Sequence, residues 1–195
     1  MIIKLLKSSA LTLFILILTQ SMLIAQARMV LQPGSTVTVS GTSNLHDWEM
    51  TTTVPTSFAE FKMLTEGRHE VLQSLDFRIQ KRTLKSDKSG LERRAFEALR
   101  ADKNPVISFQ TTGPVQIKQN GEKLLITTQG KLSIAGVTKV VDLAAECTNG
   151  NGNLLTCRGE KKLKMTDFNI APPTMMLGAL QVADDITVSY SVIYK

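Results

Sequence analysis

Short stretches in which apolar and polar residues alternate run through this sequence from residue 35 to residue 194. Such alternation places successive side chains on opposite faces of a β-strand, and glycine, asparagine, proline or charged clusters separate the stretches. The stretches are 35–41, 48–54, 57–63, 72–80, 106–112, 115–119, 123–134, 138–147, 154–165 and 186–194. The pattern predicts an all-β domain, built as an antiparallel barrel or as two packed sheets.

One segment, residues 91–100, has the spacing of a helix. The apolar face of this helix consists of Leu91, Ala95, Phe96 and Leu99. Asn104-Pro105 ends the segment, because proline disfavours helical geometry in the residue before it. We expect a short amphipathic helix that packs on a sheet or on a barrel mouth, since a helix that binds a membrane is normally longer and more apolar.

The first 27 residues have the composition of an export signal. Lys4 and Lys7 precede an apolar run, and Ala25-Gln26-Ala27 supplies the small residues of a cleavage site. We predict that residues 1–27 are a cleaved signal peptide, that residues 28–195 form one domain, and that the protein is periplasmic or secreted. The alternative is a retained anchor, because the uncharged segment 8–25 is at the lower limit for spanning a bilayer.

The charge of the chain argues against nucleic acid as a partner. The formal net charge is +6, and two of the lysines belong to the predicted signal. Nucleic-acid binding normally needs a dense stripe of lysine and arginine, which this sequence lacks. We therefore predict no nucleic-acid partner.

Two cysteines, Cys147 and Cys157, flank a turn-rich tract whose midpoint is Gly152. A hairpin that turns at this glycine places the cysteines opposite each other, at a separation that a disulfide can bridge. A redox or metal pair would need closer spacing or accompanying histidines. In an exported protein the sequence therefore predicts a structural disulfide.

Catalytic and metal-binding groups are scarce. Of the two histidines, His46 lies beside Asp47 and three residues after Ser43. Sequence neighbours rarely form a catalytic triad, so we interpret this segment as a structured turn from which Trp48 enters the core. The sequence has neither His, Cys or carboxylate residues at the spacing of a metal site nor a glycine-rich phosphate loop. We predict no enzyme and no metal; an enzyme built around His46 and Asp47 is the weakest hypothesis.

The apolar residues of several strands fall on one parity, as residues that line one face must. A closed barrel of eight strands would point them inward, where they either fill the interior or surround one slender ligand. Residues 165–180 form an unusually apolar connection, in which Met175 and Met176 suit either an adaptable pocket wall or a plug at the barrel end. The sequence leaves open whether the interior is filled or holds a ligand, and whether residues 165–180 form a pocket wall or a plug.

Four blocks of sequence, in this order, carry a family resemblance: 37–48, 96–109, 130–139 and 165–170. They include Gly41, His46-Asp47-Trp48, Asn104-Pro105 and Thr166-Asp167-Phe168. Over roughly residues 30–194 the chain resembles the YceI-like family of exported lipid-binding proteins. The resemblance implies an extended, lipocalin-like antiparallel β-barrel of about eight strands, with a short helix near one end. The cysteine hairpin is not part of the family pattern.

The resemblance also implies a carrier rather than a catalyst. We expect the barrel to hold a long apolar ligand, such as a polyisoprenoid or an isoprenoid quinone precursor, for transport or storage, with no cofactor besides such a lipid. The predicted ligand-binding residues are Val39, Trp48, Phe77, Ile79, Phe96, Phe109, Leu132, Ile134, Phe168, Met175 and Met176. The alternative is a filled barrel that acts as a structural or interaction module at the cell envelope. The ligand's head group, a transient membrane contact and the oligomeric state, with a dimer as one option, stay open.

Overall fold

The computed structural model describes residues 26–64, 68–88 and 90–195. Its strands are β1 (Gln26–Val30), β2 (Thr36–Ser43), β3 (Trp48–Thr52), β4 (Thr56–Leu64), β5 (Arg68–Gln80), β6 (Val106–Thr111), β7 (Val115–Gln116), β8 (Lys118–Asn120), β9 (Lys123–Ile134), β10 (Val137–Asn149), β11 (Leu155–Lys164), β12 (Thr174–Met175) and β13 (Leu180–Tyr194). The helix α1 spans Leu91–Ala98, and short 3₁₀ turns cover Lys81–Thr83, Asn151–Asn153, Met165–Phe168 and Met176–Gly178. No helix in these ranges is long and apolar enough to cross a membrane.

The strands form one antiparallel sheet in the order β1-β4-β5-β6-β9-β10-β11-β13-β2-β3. The sheet curls until its ends approach, because Leu31, just after β1, pairs with Tyr194 at the end of β13. Thr51 in β3 similarly pairs with Lys85. Eight strands lie on the path from β1 to β13, and β2 and β3 extend the sheet beyond them. This curled sheet confirms the predicted all-β, lipocalin-like fold with one short helix, but the described residues form thirteen strands rather than about eight.

Several strand boundaries differ from the predicted ones where the pairing is irregular. The strand β13 begins at Leu180 rather than at residue 186, and its register with β2 shifts between Val182 and Ile186. A bulge reverses the faces of the residues that follow it, so alternation across a bulge is lost. The predicted strand 115–119 is two strands, β7 and β8, which pair with β5 and β9 respectively.

The N-terminal strand β1 was not predicted. Gln26 and Ala27, the last residues of the predicted signal peptide, pair with Lys62 and Phe61 of β4. The rest of that signal peptide lies outside the described residues. Cleavage after Ala27 therefore stays a prediction, and it would leave Arg28 to begin the shortened strand.

The predicted disulfide is confirmed. Cys147 of β10 and Cys157 of β11 lie directly opposite each other, with 4.0 Å between their Cα atoms and 2.00 Å between their sulfurs. Gly152 takes a positive φ of 69° in the connecting turn, a conformation that costs glycine little. Both cysteines are buried in a core cluster with Leu155 and Phe61. The bond thus holds one end of the β10–β11 hairpin in the core.

The helix α1 packs against the inside of the curled sheet. Leu91, Ala95 and Leu99 contact a buried cluster that includes Met50 and Ile79. The C-terminal end of the helix is held by Lys81, which is fully buried and donates a 2.8 Å hydrogen bond from Nζ to the Leu99 carbonyl oxygen. A cation at a helix C-terminus also interacts favourably with the helix dipole. This contact fixes α1 over the barrel interior.

Candidate ligand-binding cavity

An apolar cavity of about 270 Å³ lies inside the curled sheet. Strand β9 shows how the sequence builds its wall, because every second residue from Leu124 to Ile134 is buried while the residues between are more exposed. Ile126, Leu132 and Ile134 of this inward set line the cavity. The period of two read from the sequence therefore produces an apolar interior surface, as a strand with one solvated face should.

Three aromatic side chains of the cavity wall lie against glycines. The ring of Trp48 covers Gly41, the ring of Phe109 covers Gly130, and the hydroxyphenyl group of Tyr190 covers Gly159. A Cβ atom built on any of these glycines would come within 2.5 Å of the aromatic side chain. Glycine in a strand permits such a close approach. Each large side chain therefore lies flat on the wall, which leaves space at the centre of the barrel.

Eight of the eleven predicted ligand-binding residues line this cavity. They are Val39, Trp48, Phe77, Ile79, Phe109, Leu132, Ile134 and Phe168. Whether they bind a ligand stays a prediction.

The structure does not bring Phe96 to the cavity wall. Its ring packs on the Ile79 cluster and lies 5.7 Å from the Arg82 guanidinium. The side chains of Met175 and Met176 lie outside the described part of the structure.

The apolar connection after β11 forms part of the wall. Met165, Phe168, Ile170 and Pro173 all line the cavity, and Phe168 is only 1% exposed. The 3₁₀ turn Met165–Phe168 places two of them, and Asp184 anchors it by accepting hydrogen bonds from the Thr166 backbone nitrogen and hydroxyl. These four residues of the connection therefore contribute to the cavity wall, and whether the connection as a whole adapts to a ligand or plugs the barrel end stays open.

Sequence reasoning missed other lining residues. Leu143, Leu163, Ile186 and Val188 lie within predicted strands but were not among the predicted ligand-binding residues. Val182 precedes the predicted start of the last strand at residue 186. The signal was the same alternation, and it was obscured by the register shift in β13.

The cavity wall carries few polar side chains. Among the described lining residues, the polar groups other than aromatic ones are Arg94, Thr128, Lys161 and Lys164. No aspartate or glutamate lines the cavity in this part of the chain. Burial raises the pKa of Tyr190 and of Tyr194 to about 12, so both hydroxyls are neutral hydrogen-bonding groups at physiological pH.

The segment around His46 is a structured turn, as interpreted from the sequence. Ser43 Oγ donates to the His46 carbonyl oxygen at 2.7 Å and accepts from the His46 backbone nitrogen at 3.1 Å. Asn44 joins this turn to the start of β13, since its Oδ1 accepts from the Gln181 backbone nitrogen at 3.0 Å. Asp47 takes part through its backbone carbonyl oxygen, which accepts a hydrogen bond from Lys88 Nζ.

This turn does not have the geometry of a catalytic triad. Within the described residues, the only hydrogen bond of the His46 imidazole is to Ser43 Oγ, at 3.4 Å, and no carboxylate orients the ring. No three His, Cys, Asp or Glu side chains in those ranges converge as a metal site would require.

A family comparison agrees with this geometry. Residues 30–194 match the model of the YceI-like domain. The chain belongs to the YceI-like family. The predicted resemblance is therefore confirmed over nearly the whole described barrel. No protein with curated annotation matches the sequence.

Solved structures share the YceI-like fold at low sequence identity. BcnA from Burkholderia cenocepacia is 17% identical, with a TM-score of 0.60, and the match covers 80% of this chain and 95% of that chain. A polyisoprenoid binding domain from Saccharophagus degradans, implicated in plant cell wall breakdown, is 13% identical, with a TM-score of 0.64 and coverage of 88% and 99%. A Campylobacter jejuni YCEI protein is 21% identical, with a TM-score of 0.51 and coverage of 70% and 79%.

Proposed function

We propose that this protein binds a long apolar molecule inside its barrel, such as a polyisoprenoid or an isoprenoid quinone precursor, and transports or stores it outside the cytoplasm. The observation that carries the proposal is the apolar cavity, in which three aromatic residues lie flat over glycines and leave space at the centre of the barrel. Binding sites for small molecules are mostly apolar and concave in this way.

The energetics of such a site favour a slender apolar chain. Removing apolar surface from water contributes about 25 cal/mol per Å², and a ligand enclosed by the barrel would lose most of its contact with water. Ordering a flexible chain opposes this gain, but Trp48, Phe109 and Tyr190 are already held in place by strand pairing and by their glycine neighbours. The site is therefore preorganised for binding rather than built for a covalent step.

Two further observations support the proposal. The fold is shared with a domain from Saccharophagus degradans that is described as polyisoprenoid binding. The disulfide between Cys147 and Cys157 is of a kind that persists mainly in oxidising compartments, which supports the predicted export signal and a periplasmic or secreted location.

The experiment uses the native compartment and one built-in reporter. Protein purified from the exported fraction is analysed by native mass spectrometry, and an organic extract identifies any bound lipid. Trp48 is the sole tryptophan and lines the cavity, so its fluorescence reports uptake of added geranylgeraniol by lipid-free protein. We expect a stoichiometric long-chain lipid in the native sample and saturable quenching in the titration.

A matched pair of variants tests where the ligand lies. Phe77→Asp places a charge on the cavity wall, whereas Phe58→Asp places the same charge on an exposed aromatic residue of the neighbouring strand. We expect Phe77→Asp to abolish uptake and Phe58→Asp to retain it, with circular dichroism showing that both variants fold. A wild-type protein that carries no lipid and takes up none would contradict the proposal and favour a structural or interaction module.

A further inference from the structure

Arg94 brings a positive charge to the apolar cavity from the helix α1. It lies three residues after Leu91 and four before Ala98, and these positions share one helix face. Both of those neighbours line the cavity, and so does Arg94 itself, which is only partly buried. The guanidinium-bearing side chain therefore belongs to the inner face of the helix rather than to its solvated side.

Lys161 brings a second positive charge from the strand β11. Alternation along β11 places Lys161 on the same face as the buried residues Cys157 and Leu163, and all three line the cavity. The flanking residues Glu160 and Lys162 are exposed on the opposite face. An inward lysine on a strand of this barrel is a departure from the apolar pattern of its wall.

Neither charge is neutralised by the protein. Within the described residues, the side chains of Arg94 and Lys161 form no hydrogen bond or ion pair, and no carboxylate lines the cavity. Nearby lysines differ in this respect, since Lys164 pairs with Asp185 at 3.1 Å and Lys139 pairs with Asp167 at 3.0 Å. Both side chains are only partly buried, so water solvates part of each charge, and an anion that enters the cavity could pair with either one.

The two cations belong to the same end of the barrel. Leu163, two residues after Lys161, packs in one cluster with Ala98 and Leu99 at the end of α1. Arg100, which follows that helix, donates a 3.2 Å hydrogen bond to the Asn169 carbonyl oxygen in the connection after β11. The C-terminal end of the helix and the second half of β11 thus pack on one core cluster beside the cavity that both charges line.

The wall near Lys161 is also open to a polar group. The register of β10 and β11 extends from Asn149↔Leu155 only as far as Glu146↔Arg158. Beyond Arg158 the strand β11 is paired on its other side alone, where Lys161 faces Val188 of β13. The polar end of a ligand could therefore approach solvent beside Lys161 while its chain remains among apolar residues.

We propose that the ligand is an amphiphile with an anionic end, a carboxylate or a phosphate, which Arg94 and Lys161 bind while the chain fills the apolar cavity. This inference rests on the proposed lipid-binding function and names the ligand class at that same site. Arginine and lysine both suit such groups, because arginine can bind two oxygens at once and lysine supplies a compact charge.

The test compares ligands that differ only in charge. Geranylgeranyl phosphate is paired with geranylgeraniol, and hexadecanoic acid with hexadecanol, and each is titrated into the lipid-free full-length chain by Trp48 fluorescence. The first pair reports on phosphate and the second on carboxylate. We expect at least one anion to bind about tenfold or more tightly than its alcohol, the ratio expected of a charge-assisted hydrogen bond.

Variants with matched neighbours locate the effect. The double variant Arg94→Gln/Lys161→Gln should lose the preference for the anion while its affinity for the alcohol stays within about twofold of wild type. The control Arg93→Gln/Lys162→Gln removes two exposed charges at adjacent positions and should keep the preference. Retained binding of the alcohol also shows that the double variant is folded.

The outcomes separate this inference from the proposed function. If wild type binds each anion and its alcohol equally, the anionic class is wrong although lipid binding stands. The inference is also wrong if both double variants reduce the preference for the anion equally. Long-range electrostatic attraction would then explain the preference, and the side chains of Arg94 and Lys161 would extend to solvent. If wild type binds none of the four ligands, the proposed function fails and this inference fails with it.

Discussion

Tyr190 of β13 donates a 2.7 Å hydrogen bond from its hydroxyl to the backbone carbonyl oxygen of Ala144 in β10, across the strand β11 that lies between them. The bond passes over Gly159, which faces Tyr190 in the antiparallel register. It satisfies a carbonyl in the region where β10 and β11 are no longer paired. Because Gly159 has no side chain, this hydrogen bond can link β13 to β10 across β11, at a place where β10 and β11 are not paired with each other.

This arrangement predicts that Gly159→Ala destabilises the protein. The new Cβ atom would lie 2.3 Å from the Ala144 oxygen and 2.5 Å from the Tyr190 oxygen, so at least one must move. We expect the free energy of unfolding in urea to fall by about 1 to 3 kcal/mol, the usual range for overpacking. Gly113→Ala is the control, because nothing lies within 4 Å of its Cβ position. Equal stabilities of the two variants would contradict the prediction.

The sequence predicted most of the fold because alternation reports directly on which face of a strand is buried. It failed where bulges break that alternation, as in β13 before Ile186. The cavity-lining residues were predicted for the same reason. Sequence could not show that the barrel is hollow, because that depends on aromatic rings lying over glycines of other strands, such as Phe109 over Gly130.

The charges of the cavity were missed for a different reason. The predicted ligand-binding residues included no charged side chain, although Arg94 and Lys161 both occur at inward positions of their elements. Phe96 was predicted to bind ligand but does not line the cavity, since a helix face can be apolar over a wider arc than the part that reaches the cavity. Helical spacing alone does not show which part of such a face lines the cavity and which part packs on other elements.

The buried amine of Lys81 predicts a distinctive dependence of stability on pH. Burial lowers its pKa from 10.5 to about 8, because the charged form is disfavoured away from water. Between these values the unfolded chain holds a proton that the folded chain has released, so stability rises with pH. Below pH 8 both states are protonated and this dependence disappears. The slope should approach, at most, about 1.4 kcal/mol per pH unit.

Urea unfolding from about pH 7.5 to about pH 9.5 measures this slope. The range lies below the pH at which ionisation of the tyrosines affects stability. The raised pKa values of Tyr190 and Tyr194, about 12, act in the opposite direction above pH 10, because the folded chain then holds the extra protons. Lys81→Met should flatten the rise, whereas the exposed Lys103→Met should preserve it. A rise that persists in Lys81→Met would show that another group causes it.

Reduction of the disulfide should destabilise the barrel without unfolding it at room temperature. Cys147 and Cys157 are ten residues apart, and closing a loop of that size contributes about 2 to 3 kcal/mol. We expect dithiothreitol to lower the urea midpoint of the wild type. A Cys147→Ala/Cys157→Ala variant should already show the lower midpoint and should not respond to the reductant. A wild-type midpoint that is insensitive to reduction would contradict a stabilising role.

The pairing of Trp48 with Gly41 predicts that a single methyl group can alter the cavity. The two residues lie directly opposite in β2 and β3, and a Cβ atom at Gly41 would lie 2.4 Å from Cζ2 of the indole. Gly41→Ala should therefore push the ring from the wall towards the centre of the barrel.

The displaced ring would occupy space that a ligand needs and would disturb the 3.3 Å hydrogen bond from Trp48 Nε1 to the Thr42 carbonyl oxygen. We expect the emission maximum of Trp48 to shift in ligand-free protein and the affinity for geranylgeraniol to fall by about fivefold or more, equivalent to about 1 kcal/mol. Gly113→Ala should change neither quantity. Unaltered emission and affinity in Gly41→Ala would mean that the indole does not depend on this glycine for its position on the wall.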